Sequence, residues 1–210
     1  MRKSHFRFPS VSSVVAGCFA AACLAFPAPA PAPARIASSA GSDGFRAYVC
    51  DSSRSTVVFH AVHPFANVTG INHAPACSVW VNGDSTIFRV RVNMAVRGFK
   101  TGISLRDSHT MKAVEADAFP QVAFASTAVK PKDGKLGPYV VNGELTFHGL
   151  TKTITANVTP EIKAGQVFIR GGFPISLAEY QAKPPTLMGT KVHDRVDMTF
   201  DLVFKLRPGE

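Results

Sequence analysis

Residues 142–158, NGELTFHGLTKTITANV, decide the fold. Leu145 and Phe147 alternate with Glu144 and Thr146, and beyond Gly149 the residues Ile154, Ala156 and Val158 alternate with Thr153, Thr155 and Asn157. A period of two is that of a strand with one face against a core. Gly149-Leu150 fits a two-residue hairpin loop of type II′, with glycine where φ must be positive. That loop sets His148 opposite Thr151, Phe147 opposite Lys152, Leu145 opposite Ile154, Gly143 opposite Ala156 and Val141 opposite Val158. One face is then apolar except for Lys152, and the hairpin is buried on one side.

The same alternation recurs along the chain. Phe88, Val90, Val92, Met94 and Val96 alternate with Arg89, Arg91, Asn93 and Arg97; Val196, Met198, Phe200, Leu202, Phe204 and Leu206 alternate with Asp197, Thr199, Asp201 and Lys205. Further strands are expected over 56–62, 66–72, 77–81, 121–129 and 166–175. About eight antiparallel strands, each with one wet face, build a barrel or a sandwich, and long strands around one apolar interior favour the barrel. The conspicuous break is RDSHTMKAVEADAFPQVAFAST, residues 106–127. It reads as a short helix capped by Asp107 or Ser108, with Met111, Val114 and Ala118 on one face and Pro120 as its stop. At about 100° per residue, His109 faces away from both Asp107 and Glu115, so no local acid–base pair forms. The helix is expected to plug one mouth.

Composition bounds the rest. The chain has 210 residues, 46% apolar and 18% charged, which suits one globular domain. Residues 1–34 read as a secretory signal: Arg2, Lys3 and Arg7 give a basic start, and the apolar run from Val11 to Phe26 is short for a membrane span. Cleavage is expected after Ala34, with Ala40 as the alternative, because the other Ala-Pro steps place proline after the cut. VAGC, ending at Cys18, also resembles a lipobox, although the apolar run continues past it. Residues 35–47 read as a flexible linker and 48–210 as the domain. Without residues 1–34 the net charge falls from +9 to +6, since the three charged residues lost are all basic. Cys50 and Cys77 alone remain of the four cysteines, and in a periplasmic or secreted chain a pair suggests a disulfide. If the chain folds back near His63-Pro64, paired residue numbers sum to about 127 or 128, which sets the two cysteines on facing strands.

Three stretches together carry a resemblance: LRDSHTM…EADAFPQVAFAST, VNGELTFHGLTKTI and GTKVHDRVDMTFDLVFK. They resemble the YceI-like family of secreted bacterial proteins, in the family's order and across Tyr48–Leu206. The resemblance implies an extended eight-stranded antiparallel β-barrel, lipocalin-like, with a short helix near one mouth. It also implies an apolar tunnel holding a polyisoprenoid or other long-chain amphiphile, and no metal or catalytic chemistry. The chain departs from the family in HPFANVTG (63–70), in its two cysteines and in AKPPTLMGTKVHD (182–194), and rim loops of that kind select what enters.

Sixteen phenylalanines against three tyrosines and one tryptophan suit walls with few polar handles. The expected tunnel residues are Phe88, Val90, Val92, Met94, Val122, Phe124, Leu145, Phe147, Ile154, Met198, Phe200 and Leu202. Arg106, His109, His148, Lys152 and His193 are expected to meet a polar head group, arginine being able to bind an anion with two bonds. The reading is thus a periplasmic carrier or sequestering protein for a long-chain lipid or isoprenoid, with transient membrane contact allowed and the oligomeric state open, a homodimer included. The alternative is a hydrolase using His109 or His148 with Asp107 or Asp194, for which no serine-centred motif or HExxH speaks. No cofactor is expected. His60, His63 and His73 lack the cysteine or carboxylate that would complete a metal spacing. The outward Arg89, Arg91 and Arg97 are not interleaved with aromatics, so nucleic acid is not expected.

Overall fold

The computed structural model describes residues 44–82, 86–132, 137–187 and 189–208. The signal segment 1–34 and most of the linker lie outside the described residues. The strands are β1 Arg46–Cys50, β2 Thr56–Ala61, β3 Val68–Asn72, β4 Ala76–Val81, β5 Ile87–Ala95, β6 Gln121–Pro131, β7 Tyr139–Phe147, β8 Leu150–Lys163, β9 Gln166–Ser176, β10 Thr186–Leu187, β11 Thr190–Lys191 and β12 Arg195–Leu206, with one helix, α1, Ser104–Ala113, between β5 and β6.

Eight strands close a ring in the order β1-β4-β5-β6-β7-β8-β9-β12, because β12 returns to pair with β1. Every pairing is antiparallel. Closure removes the unpaired edges that an open sheet would present. β12 is long enough to serve two partners: Phe204–Leu206 pairs with β1 and Val196–Asp201 with β2. β1 and β2 are therefore one wall strand, broken by a single 3-10 turn at Ser52–Arg54. Buried Ser55 bridges the break, its Oγ accepting from Val203 N–H at 2.9 Å. β3 pairs with β2 and meets the chain after β5 only at Ile71↔Lys100. The buried side chain of Asn72 closes that seam, donating to Ala95 O at 3.1 Å and accepting from Ala74 N–H at 2.9 Å.

The two ends differ. One carries the connections β4–β5, β6–β7 and β8–β9, with Val79, Val167 and Phe204, each 0% exposed, buried toward it. The other carries α1, the β7–β8 turn, the β2–β3 loop and residues 177–194, tied together by Val96 N–H to Pro120 O, Leu177 N–H to Asp194 O and His193 N–H to Val62 O. We call this the mouth.

Several expectations need correction. The β7–β8 turn has His148 and Gly149 at its centre, with φ of 50° and 74°, which makes it type I′ rather than II′. The register is accordingly Phe147↔Leu150, Leu145↔Lys152, Gly143↔Ile154, Val141↔Ala156 and Tyr139↔Val158. The slip is two residues, so every side chain keeps its expected face. The helix begins at Ser104, not at Asp107 or Ser108, and neither caps it; Asp107 lies in the first turn and turns back to Thr101, accepting from its N–H at 2.8 Å and its hydroxyl at 2.5 Å. Met111 and Val114 are buried as expected, but Ala118 is exposed and Ala116 is buried in its place. β1 begins inside the expected linker, and β10 and β11 were not expected at all. The facing of the two cysteines holds: β1 and β4 pair Val49 with Ser78, and the next step of that ladder sets Cys50 against Cys77. Both are thiols here, with Cys50 also 3.2 Å from Ser55 Oγ.

Candidate functional site

The inward faces of the strands enclose two cavities in line. The mouth cavity, about 150 Å³, is lined by residues from β2, β3, β5, β6, β7, β9 and β12, by α1 and by the 177–194 segment. The deeper one, about 70 Å³, is lined almost wholly by apolar strand residues. Met94, Leu145 and Phe173 line both and form the waist between them. An apolar cavity of about 150 Å³ holds a molecule the size of benzene, so a long chain must also enter the deeper cavity, past the waist. Phe59, Met94, Val122, Phe173, Ile175 and Met198 face inward at the mouth cavity and are nevertheless only partly buried, because they line accessible space rather than a packed core.

Local sequence explains why the deeper cavity exists. Gly143 lies beside the ring of Phe124, and Gly171 beside that of Phe200; a Cβ at Gly171 would stand 2.9 Å from the Phe200 ring and closer still to Asn157 O. Glycine lets each ring lie along the wall, where a side chain would push it into the bore.

Of the seventeen expected contact residues, thirteen line one cavity or both. Met94, Arg106, His109, Val122, Leu145, Phe147 and Met198 line the upper, and Val90, Val92, Met94, Phe124, Leu145, Ile154, Phe200 and Leu202 the lower. The side chain of Phe88 lies outside the described residues. Lys152, opposite Leu145, lines neither cavity. His193 is exposed and does not line them either. Sequence reasoning missed Phe59, Phe99, Phe173 and Ile175, and the rim residues Pro185, Thr186 and Val192. Alternation through Val167, Ile169, Gly171, Phe173 and Ile175 held the signal for β9, but two glycines and Pro174 interrupt it.

His148 is a structural pin rather than a head-group contact. Its side chain is buried, with Nδ1 2.9 Å from Tyr180 O and Nε2 2.9 Å from Glu115 Oε2. Phe119 packs over it at 4.3 Å between centroids. The hairpin turn, the residue after α1 and the 3-10 turn at Ala178–Tyr180 are thereby fastened together, and this holds His148 in its left-handed backbone conformation.

The polar rim consists of Arg106, His109, Thr110 and Thr186, with His109 and Thr186 exposed as well as lining the cavity. The opening therefore lies between α1 and β10. Arg106 is positioned by Thr101, donating to its hydroxyl at 2.9 Å and its carbonyl at 2.7 Å. The Thr101 hydroxyl on Asp107 holds that carboxyl below the usual carboxylate range.

Of the groups the hydrolase alternative would use, His148, Asp107 and Asp194 are engaged in other contacts. His148 has a carboxylate partner, but its second nitrogen is occupied by a carbonyl and cannot take a proton from a nucleophile. Asp107 is held by Thr101, and Asp194 accepts from Ser176 Oγ and Ala178 N–H. His60 contacts Thr69 and Thr199 on the outer wall, while His63 is buried between Phe65 N–H and Thr190 O. Among the described residues no group of three or more His, Cys, Asp or Glu is placed to hold a metal.

A closed eight-stranded barrel with an apolar bore and a polar rim belongs to the class of small barrels that hold one ligand or are filled by their own side chains, and the two cavities show that the bore is not filled. The YceI-like domain profile matches residues 48–204, nearly the whole barrel, and the chain belongs to that family. Among solved structures, Burkholderia cenocepacia BcnA is similar at a TM-score of 0.65 and 22% identity, over 73% of this chain and 98% of that one. A polyisoprenoid binding domain from Saccharophagus degradans, implicated in plant cell wall breakdown, is similar at a TM-score of 0.58 and 14% identity, over 77% of this chain and 99% of that one. At these identities the likeness is one of fold. A curated relative, hydrogenase maturation factor HypC of Synechocystis, is 36% identical over 52 residues, 24% of this chain and 68% of that protein. That stretch is too short to account for a ring of eight strands, so membership rests on the profile.

Proposed function

We propose that this protein is an exported carrier or sequestering protein for one long-chain lipophilic molecule, polyisoprenoid or fatty-acid-like, held tail-first in the barrel. The observation that carries this reading is the pair of in-line apolar cavities opening at a rim that bears Arg106 and His109. Each methylene moved out of water is worth about 0.8 kcal/mol, so the tail dominates affinity, and the rim orients the head. The Saccharophagus domain of the same fold, described as polyisoprenoid binding, agrees with this ligand class. The basic and apolar start of the sequence supports export to the periplasm or beyond, with the cut after Ala34 or Ala40. In an oxidising compartment Cys50 and Cys77, already in contact, form a disulfide.

Native mass spectrometry of protein purified from the periplasm of its own host tests the reading. A co-purifying long-chain lipid is expected. Protein that is always empty, and that binds neither prenyl nor acyl fluorescent probes, overturns it.

A further inference from the structure

Among the described residues, the four most exposed large hydrophobic side chains all belong to the mouth end. Leu105 is 68% exposed, Phe65 66%, Ile103 52% and Val62 43%, while Phe45, Ile162 and Leu206 at the opposite end reach only 37–41%. Contacts place the four around one opening. Leu105 stands one helical turn before His109, which lines the mouth cavity. Val62 O accepts from His193 N–H at 2.9 Å, next to cavity-lining Val192, whose own N–H donates to cavity-lining Pro185 at 2.9 Å. The Phe65 ring lies 5.4 Å from His63, which is anchored to Thr190 O.

The same segments are basic. Residues 62–67, 97–117 and 177–195 hold Arg97, Lys100, Arg106, Lys112, Lys183, Lys191 and Arg195 against Asp107, Glu115, Asp117, Glu179 and Asp194, besides His63, His109 and His193. Arg97 and Arg195 are paired with Asp117 and Asp197 and Glu115 with His148, while Asp107 bonds to Thr101 and Asp194 to Ser176 and Ala178, which leaves Lys100, Arg106, Lys112, Lys183 and Lys191 against Glu179. Apolar side chains projecting through a ring of cations match the two layers of an anionic lipid surface, acyl boundary and phosphate plane. They stand around an aperture, not in one contiguous patch as a protein interface would have them.

We propose that the mouth docks on the surface of an anionic bilayer, with Val62, Phe65, Ile103 and Leu105 entering the interface and the surrounding lysines and arginines meeting lipid phosphates. The proposed contact is peripheral, through side chains at the rim; no helix among the described residues is long and apolar enough to cross a membrane. Its purpose rests on the carrier reading: the aperture faces the bilayer, and the ligand's tail passes between lipid and bore without crossing water.

The test is flotation of the purified protein with vesicles of phosphatidylcholine alone or with phosphatidylglycerol added. Binding to the anionic vesicles alone is expected, weakened roughly tenfold or more by high salt. The variant Phe65→Glu/Leu105→Glu should lose at least about tenfold of the partitioning, while cis-parinaric acid binding in vesicle-free buffer stays within about twofold, since neither residue lines a cavity. Should that variant misfold by circular dichroism, the milder Leu105→Gln takes its place. Wild-type protein that floats with neither vesicle overturns the proposal, as does a variant that floats like wild type. So does a concentration-dependent dimer in light scattering that the same variant abolishes, which would give the face to a second copy. Flotation without probe binding keeps the docking and refutes the carrier; probe binding without flotation does the reverse.

Discussion

Oxidation of the Cys50–Cys77 pair is expected to raise the stability of the barrel markedly. Cys50 ends β1 and Cys77 lies in β4, at facing positions one step beyond Val49↔Ser78 of one antiparallel ladder, so a bridge between them needs no rearrangement of register. The S–H of Cys77 donates to Cys50 and lowers the Cys50 thiol against the opposing effect of burial; the same bond, with burial, raises Cys77. Cys50 is therefore the sulfur that ionises first and attacks the oxidant. The bridge closes the 27 positions from Cys50 to Cys77, and a loop of that length removes about 3 to 4 kcal/mol of chain entropy from the unfolded state. For a domain of 150 to 250 residues each kcal/mol moves the melting point by about 2 to 4 °C, which gives about 6 to 15 °C. The assay is paired: thiol counts on denatured protein from an oxidising compartment, and melting curves of that protein with and without dithiothreitol. The Cys50→Ser variant, indifferent to reductant, is the control. Two free thiols in exported protein, or an oxidised form melting no higher than the reduced one, would refute the reasoning.

Other outcomes follow from the same contacts. Met94→Trp, at the waist, should spare short-chain probes and cost long ones about fourfold in affinity for each methylene denied the deeper cavity, as read by competition with acids of graded length; equal losses at all lengths would deny that the cavities act in series. His148→Gln gives up one buried bond, to Tyr180 O, and one half-exposed bond, to Glu115, and should lower stability by about 1 to 3 kcal/mol in urea melts, with a change under about 0.5 kcal/mol contradicting the pin. The Tyr180 hydroxyl is buried without a partner, and burial, then the Glu179 charge, pushes it up to about 12; Tyr180→Phe should thus be neutral or stabilising by up to about 1 kcal/mol by calorimetry. Asp107 sits below its unfolded value, so its bond to Thr101 contributes fully above about pH 4 and is lost as pH falls through the lowered value. The melting-point gap between wild type and Asp107→Asn should accordingly be level from pH 5 to 7 and close in acid.

What the sequence made legible was whatever repeats. Alternation assigned inward faces to β5, β7, β8 and β12, and those faces do line the bore. What it hid depends on contacts between distant residues. Gly149 alone points to a type II′ turn; His148 takes the left-handed conformation in a structure where Glu115 and the Tyr180 carbonyl, both more than thirty positions away, hold its ring. The same contacts explain why His148, placed at a strand end like a head-group residue, faces protein instead. The start of α1 was hidden because Asp107 reads as a cap until Thr101 is seen to claim its carboxylate. Rim residues such as Pro185 and Val192 follow no period, and their place is fixed by pairing across a loop.

The asymmetry of the bore gives the ligand a direction. Val79, Val167 and Phe204 are wholly buried toward the far end, glycine lets Phe124 and Phe200 lie along the wall, and among the residues lining the two cavities the rim alone offers a cation. A head group carried inward would lose its water with nothing to replace it, a cost of several kcal/mol for a charged group. On the carrier proposal the tail therefore leads, the head stays beside Arg106 and His109, and the side that would receive the ligand is the side whose apolar residues stand outside the fold. One end of the barrel thus has to recognise both the ligand and the phase it comes from, while the other need only be closed.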